Sequence, residues 1–80
     1  MDIKILGTGC PKCQSLERLT KAAMEELGVS ASLEKVTDIK SIMEYDILMT
    51  PGLVIDGKVV VSGKVPSQEK IKKLLEEASQ

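Results

Sequence analysis

Eighty residues provide for one small domain, 1–80, with no room for a second core. A formal net charge of −1, with acids and bases mixed along the chain, leaves no basic footprint for a nucleic-acid partner. No apolar run is long enough to span a bilayer, and Met1-Asp2-Ile3-Lys4 passes straight into a strand pattern, so neither a membrane span nor a secretory signal is expected.

Ile3 to Leu6 reads as the first strand, ended by Gly7-Thr8-Gly9. Pro11 to Leu27 reads as a helix, because Leu16, Leu19, Ala23 and Leu27 recur at helical spacing with charges between them. Pro11 suits the first turn, where its missing N–H is no loss, and Gly28 is a natural stop. Val29, Ala31 and Leu33 then alternate with Ser30, Ser32 and Glu34, the pattern of a half-buried strand. Thr37-Asp38 is placed to cap a short helix with Ile39, Ile42 and Met43 as its inner face. After Tyr45-Asp46 a loop leads to Thr50-Pro51. Leu53 to Ile55 and Lys58 to Ser62 read as paired strands around Asp56-Gly57, a dipeptide favoured in type I′ turns. Ser67 is placed to cap a last helix whose buried stripe is Ile71, Leu74, Leu75 and Ala78.

The order is therefore βαβαββα. Two strands joined by a helix should lie parallel through a right-handed crossover, and the hairpin should add an antiparallel pair. An α/β fold, a mixed four-stranded sheet flanked by three helices, buries all of these faces.

The chain's two cysteines stand together as Cys10-Pro11-Lys12-Cys13, at the junction of the first strand and the first helix. A disulfide between them would close too short a loop to constrain the unfolded chain much, so they are poor staples. Unpaired N–H groups and the helix dipole favour a thiolate at a helix start. A free cysteine has a pKa near 8.5, whereas Cys-X-X-Cys thiols range from about 3.5 to 7.5. Cys10 should be the more exposed sulfur and attack a target disulfide. Cys13, one turn in, should be shielded and resolve the mixed disulfide. Lys12 adds a positive charge beside them, and is read either as a tuner of Cys10 or as a solvated helix residue.

Other readings of the pair stand beside this one. Buried cysteines are often inert small hydrophobes. Closed tetrahedral zinc needs four ligands, and the chain has two cysteines and no histidine, so no metal centre of that kind is expected. A soft-metal carrier needs only two thiolates, which keeps Cu(I) transfer as the alternative function. With no leader, the expected compartment is the cytoplasm, where a persistent structural disulfide is unusual and a catalytic pair is not.

The sequence resembles the thioredoxin superfamily over nearly its whole length, and within it the small, glutaredoxin-sized redox-active disulfide proteins of archaea and bacteria. The resemblance rests on Gly7-Thr8-Gly9-Cys10-Pro11-Lys12-Cys13 after the opening strand, on Thr50-Pro51-Gly52-Leu53-Val54-Ile55-Asp56-Gly57-Lys58, and on Ser62-Gly63 before a charged helix. It implies a minimal thioredoxin-like fold and thiol–disulfide oxidoreductase activity on protein disulfides, recharged by a reductase. No cofactor beyond the Cys10–Cys13 pair is implied. It further implies that Pro51 is cis beside the disulfide and that the Thr50 backbone pairs with an extended substrate segment. The chain is expected to act as a monomer.

Gly9 stands where thioredoxins proper usually carry tryptophan. Their buried carboxylate in the strand before the motif has no counterpart, since Asp2 lies too early. Ser62-Gly63-Lys64 occupies the place of the glutaredoxin Gly-Gly and its nearby acidic residue. Gly63 serves backbone conformation on the plain reading and close substrate approach on the sharper one. Met24, Met43 and Met49 fill space, with Met49 also placed to border an apolar substrate groove. Tyr45 reads as a core-edge side chain rather than a catalytic acid.

Overall fold

The computed structural model describes residues 1–45, 47 and 49–78; Asp46, expected in the loop before Thr50-Pro51, lies outside them. Seven elements follow one another as β1 (Asp2–Leu6), α1 (Pro11–Leu27), β2 (Ser32–Val36), α2 (Ile39–Met43), β3 (Gly52–Ile55), β4 (Lys58–Ser62) and α3 (Gln68–Ala78). The sheet runs β2-β1-β3-β4. β1 is parallel to β2 and antiparallel to β3, and β3 is antiparallel to β4. This is the mixed sheet and element order of a minimal thioredoxin-like fold.

Alternation along the strands divides the apolar side chains between two faces. Ile3 and Ile5 of β1, Leu53 and Ile55 of β3 and Val61 of β4 meet Leu16 and Ala23 of α1 and Ile71 and Leu75 of α3. On the other face Leu6 and Val54 meet Ile42 of α2. β3 lies between β1 and β4 with both faces covered, and all four of its residues are buried. Its run of Gly-Leu-Val-Ile is the unbroken apolar pattern that such a position selects.

Local chemistry sets the element ends. Gly28 caps α1 at φ 66°, the left-handed conformation that glycine adopts without a Cβ penalty. Asp56 and Gly57 both have positive φ, 50° and 83°, as a type I′ turn requires. The same turn is tied back to β1: the Asp56 N–H donates to the Asp2 carbonyl at 2.7 Å and the Asp2 N–H to Asp56 Oδ1 at 2.8 Å. Asp38 caps α2, accepting the Ser41 N–H at 3.4 Å, and Ser67 accepts the Lys70 N–H at 3.2 Å in the first turn of α3.

Four local expectations change. The second strand begins at Ser32 and not Val29. The Val29 N–H is held by the Met24 carbonyl in the helix cap, and the parallel ladder begins where Asp2 finds Ser32. In α2 only Ile42 points inward; Ile39 and Met43 are 62% and 66% exposed. A five-residue helix makes barely more than one turn, so it has one inward position and no stripe. Ala78 is exposed at the end of α3, and Leu74 is half-buried. Asp2 and Gly52 extend β1 and β3 by one residue each, as the partners of Ser32 and Leu6.

Candidate active site

Cys10 is the N-cap of α1. Its backbone is extended (φ −66°, ψ 163°), its carbonyl accepts the Gln14 N–H at 3.0 Å, and its sulfur accepts the Cys13 N–H at 3.3 Å. A sulfur in the N-cap position thus takes up one of the donors a helix start leaves unpaired. Pro11 follows at the first helical position. Gly9 enters the helix at φ 92°, and its carbonyl accepts the Gln14 side-chain amide at 3.1 Å. The two cysteines form a disulfide with Cα atoms 5.0 Å apart. Cys10 is partly exposed and Cys13 only 5% exposed. The asymmetry is that of a sulfur presented to a partner and one held behind it.

The rest of the site arrives from the far side of the sheet. Leu6 pairs with Gly52 and Gly52 with Ser62, so the end of β1, the start of β3 and the end of β4 lie at one edge. The Thr50–Pro51 peptide is cis, Pro51 is buried and Thr50 exposed. The Pro51 carbonyl accepts the Gly63 N–H at 2.8 Å, so the residue just after β4 holds the proline segment. Gly63 itself is at φ 76°, and a Cβ there would come within 3.2 Å of Met49 Cβ. Met49 packs over it while remaining 65% exposed.

Gly7 joins the two parts. A Cβ at this residue would overlap Cys13 Sγ and reach Thr50 Cβ at 4.0 Å. Only a bare Cα lets the shielded sulfur sit between α1 and the end of β1. Read from the sequence, Gly7 simply ended a strand; the close approach depends on the helix lying above it and leaves no local signal. The structure therefore gathers Cys10, Cys13, Thr50, Pro51 and Gly63 at one end of the sheet. Lys12 is exposed in the first turn of α1.

Sequence reasoning also passed over Glu17. Its side chain is 19% exposed and bridges Lys21 at 3.4 Å and Lys35 at 3.7 Å. It lines a cavity of about 120 Å3 together with Cys13, Gly7 and Lys35. Its place four residues after Cys13 is the signal that marks the same helix face. A larger cavity of about 400 Å3 shares Lys35 and Thr37 with the smaller one and lies beside Lys4, Glu34, Ser41 and Tyr45. It contains no cysteine, and its lining mixes charges of both signs. Tyr45 packs at the edge of the smaller core and accepts a hydrogen bond from Lys4 Nζ at 3.2 Å. That bond, more than the nearby carboxylates of Glu34 and Asp2, holds the Lys4 ammonium above the ordinary lysine range. Among the described residues, no group of three or more His, Cys, Asp or Glu is placed to hold a metal ion, and no helix is long and apolar enough to cross a membrane.

Comparison with known proteins agrees with this geometry. A family model described as a thioredoxin domain matches residues 1–76. The thioredoxin of Methanothermobacter thermautotrophicus is 44% identical over 75 residues, covering 94% of this chain and 97% of that protein. The thioredoxin of Methanocaldococcus jannaschii is 48% identical over 73 residues, covering 91% of this chain and 84% of that protein. These likenesses favour disulfide exchange and lend nothing to the soft-metal carrier. With the Cys10–Cys13 disulfide at the start of α1 and a mixed sheet beneath it, the chain belongs to the thioredoxin superfamily and is a thiol–disulfide oxidoreductase.

Proposed function

We propose that Cys10 is the attacking thiolate and Cys13 the resolving thiol in exchange with disulfides of other proteins. The observation that carries this order is the difference in access: Cys10 is partly exposed at the N-cap and Cys13 is 5% exposed against Gly7. Cys10 Sγ accepts the Cys13 N–H in the disulfide form and sits at the positive end of α1, and a donor and a dipole in those places favour its thiolate. The thiolate attacks a target disulfide. Cys13 then bonds to Cys10 and expels the second target sulfur, leaving the target reduced by two electrons and the pair oxidised.

Thr50, Pro51 and Gly63 form the substrate side in this reading. The exposed Thr50 backbone pairs with an extended segment of the target, Pro51 packs beside the disulfide, and Gly63 lets the segment approach. Support comes from the Gly63-to-Pro51 hydrogen bond, which fixes the proline segment at the edge that carries the cysteines. Lys12 favours the Cys10 thiolate through its charge. The protein works as one domain over residues 1–80, as a cytoplasmic monomer of glutaredoxin size. A separate reductase returns electrons to the pair, and no cofactor other than the disulfide takes part.

The order of action is tested by trapping. Cys13→Ser is expected to accumulate mixed disulfides with targets through Cys10, and Cys10→Ser to lose disulfide reduction altogether. Full activity in Cys10→Ser would overturn the assignment. Equilibration against a thiol buffer, with alkylation to count free cysteines, should show one two-electron transition confined to this pair.

A further inference from the structure

Resolution of a mixed disulfide needs the Cys13 thiolate, yet at neutral pH an ordinary cysteine is mostly protonated, with a pKa near 8.5. Burial works against the charged form as well. The proton on Cys13 must leave a sulfur that is 5% exposed and pressed against Gly7, so direct transfer to bulk solvent is obstructed. Cys13 borders the cavity of about 120 Å3, whose other walls are Ile5 of β1, Gly7 and Gly9 in the turn after it, Gln14 and Glu17 on α1, Lys35 of β2 and Thr37 just beyond β2. A water needs only about 10–15 Å3 of such space and two or more polar partners, which this lining supplies.

We propose that Glu17 is the proton acceptor for Cys13, acting through water in this cavity. The inference rests on Cys13 being the resolving thiol. The charged and titratable groups around the path are Glu17 and Lys21 on α1, Lys35 on β2, and the two cysteines; β1 and the turn after it contribute Ile5, Gly7 and Gly9, none of them titratable. Glu17 is thereby both shielded and linked to solvent: its side chain is 19% exposed and borders the cavity, and its carboxylate also pairs with the ammonium groups of the exposed Lys21 and Lys35. In the resolving step the Cys13 S–H bond breaks and its proton passes to the carboxylate. The sulfur electron pair forms the bond to Cys10 Sγ, and the bond from Cys10 to the target sulfur breaks. The target leaves as a thiolate, and Glu17 returns its proton to solvent. Run backwards, protonated Glu17 delivers a proton to Cys13 as the disulfide opens.

The test is the reaction of the reduced protein with 5,5′-dithiobis(2-nitrobenzoate), followed by stopped flow. The first released thionitrobenzoate reports attack by Cys10, and the second reports closure by Cys13. Glu17→Gln is expected to leave the first phase unchanged and to slow the second at neutral pH by roughly tenfold or more. From about pH 6 to about pH 9 the slowed phase should rise with the ionisation of Cys13 itself. Glu17→Asp should recover part of the rate. A Lys21→Ala/Lys35→Ala double variant breaks both ion pairs yet keeps the carboxylate, and should retain most of the second phase. An unchanged second phase in Glu17→Gln, or equal slowing in the double-lysine variant, would overturn the proposal. If the wild type shows no second phase, the resolving role of Cys13 falls first and the role of Glu17 falls with it.

Discussion

The two sides of the active site are built by different rules. The cysteine corner, residues 7–13, is assembled within a few residues of chain: an N-cap sulfur, a proline at the first helical position, and glycines that turn the strand into the helix. The proline side, residues 49–51 and 63, is assembled across the sheet, by the bond from Gly63 to Pro51 and the packing of Met49 over Gly63. The corner holds the sulfurs, and the proline side presents backbone and an apolar edge. In the proposed reading, chemistry is set locally and recognition non-locally.

Breaking the corner should have the larger effect. Gly7→Ala forces a methyl group into Cys13 Sγ. Overpacking of a tight interior typically costs about 1–3 kcal/mol, so the oxidised protein should show a lower denaturant midpoint. Because the displaced sulfur is the proposed resolving thiol, turnover should fall alike for small and protein disulfides. Equal stability and unchanged turnover would mean that α1 tolerates a different seat for Cys13, and the corner would not be the rigid part.

Breaking the proline side should instead separate substrates. Gly63→Ala places a Cβ at φ 76° and within 3.2 Å of Met49 Cβ. A left-handed conformation costs a non-glycine residue about 1–2 kcal/mol. The expected kinetic result is a rise in KM for a protein disulfide of roughly threefold or more with kcat nearly unchanged, the pattern of lost uniform binding. A small disulfide that needs no backbone pairing should be turned over as before. Equal losses on both substrates would place Gly63 with the chemistry and erase the distinction between the two sides.

The same division explains what was legible in the sequence. The corner could be read residue by residue, since caps, Pro11 and Gly28 are local signals. α1 was bounded at Pro11 and Leu27 for that reason, and the hairpin at Asp56-Gly57 likewise. Thr50-Pro51 on its own opens a strand, where a proline is expected because it cannot donate to the ladder, and only the resemblance ties it to the cysteines. The close approach at Gly7 leaves no local signal, and Glu17 shows only its helical spacing from Cys13, because their roles come from what packs against them. Ile39 and Met43 were misplaced by extending a helical stripe to α2, which is too short to have one. Their exposure gives a milder prediction, which concerns stability alone: Ile39→Ser and Met43→Ser should each shift it by no more than about 0.5 kcal/mol, whereas Ile42→Ala should cost about 2 kcal/mol or more. Chemical denaturation of the three variants checks the contrast, and comparable losses at all three would mean that the outer face of α2 is covered in solution.

The smallest effect is expected at a residue belonging to neither side. Tyr45 is linked to Lys4 on the α2 face of the sheet, beside the larger cavity, and that cavity is lined by none of the cysteines or prolines. The hydrogen bond to Tyr45 is the leading reason that the Lys4 ammonium titrates above its ordinary range. A base whose pKa is raised by folding contributes stability that is fully present below the unfolded-state value and is lost as pH climbs through the folded-state value. Tyr45→Phe should therefore lower the Lys4 pKa, seen by NMR titration of its side chain. Any accompanying loss of stability should be evident near neutral pH and fade in strong alkali. Lys4 is solvent-accessible, so this loss should be small and should shrink further in high salt. Disulfide exchange should be unaffected at every pH. A drop in the rate of either step in Tyr45→Phe would extend the catalytic region across the sheet to the α2 face, and the division between a locally built chemical corner and a recognition side brought from later in the chain would no longer describe this protein.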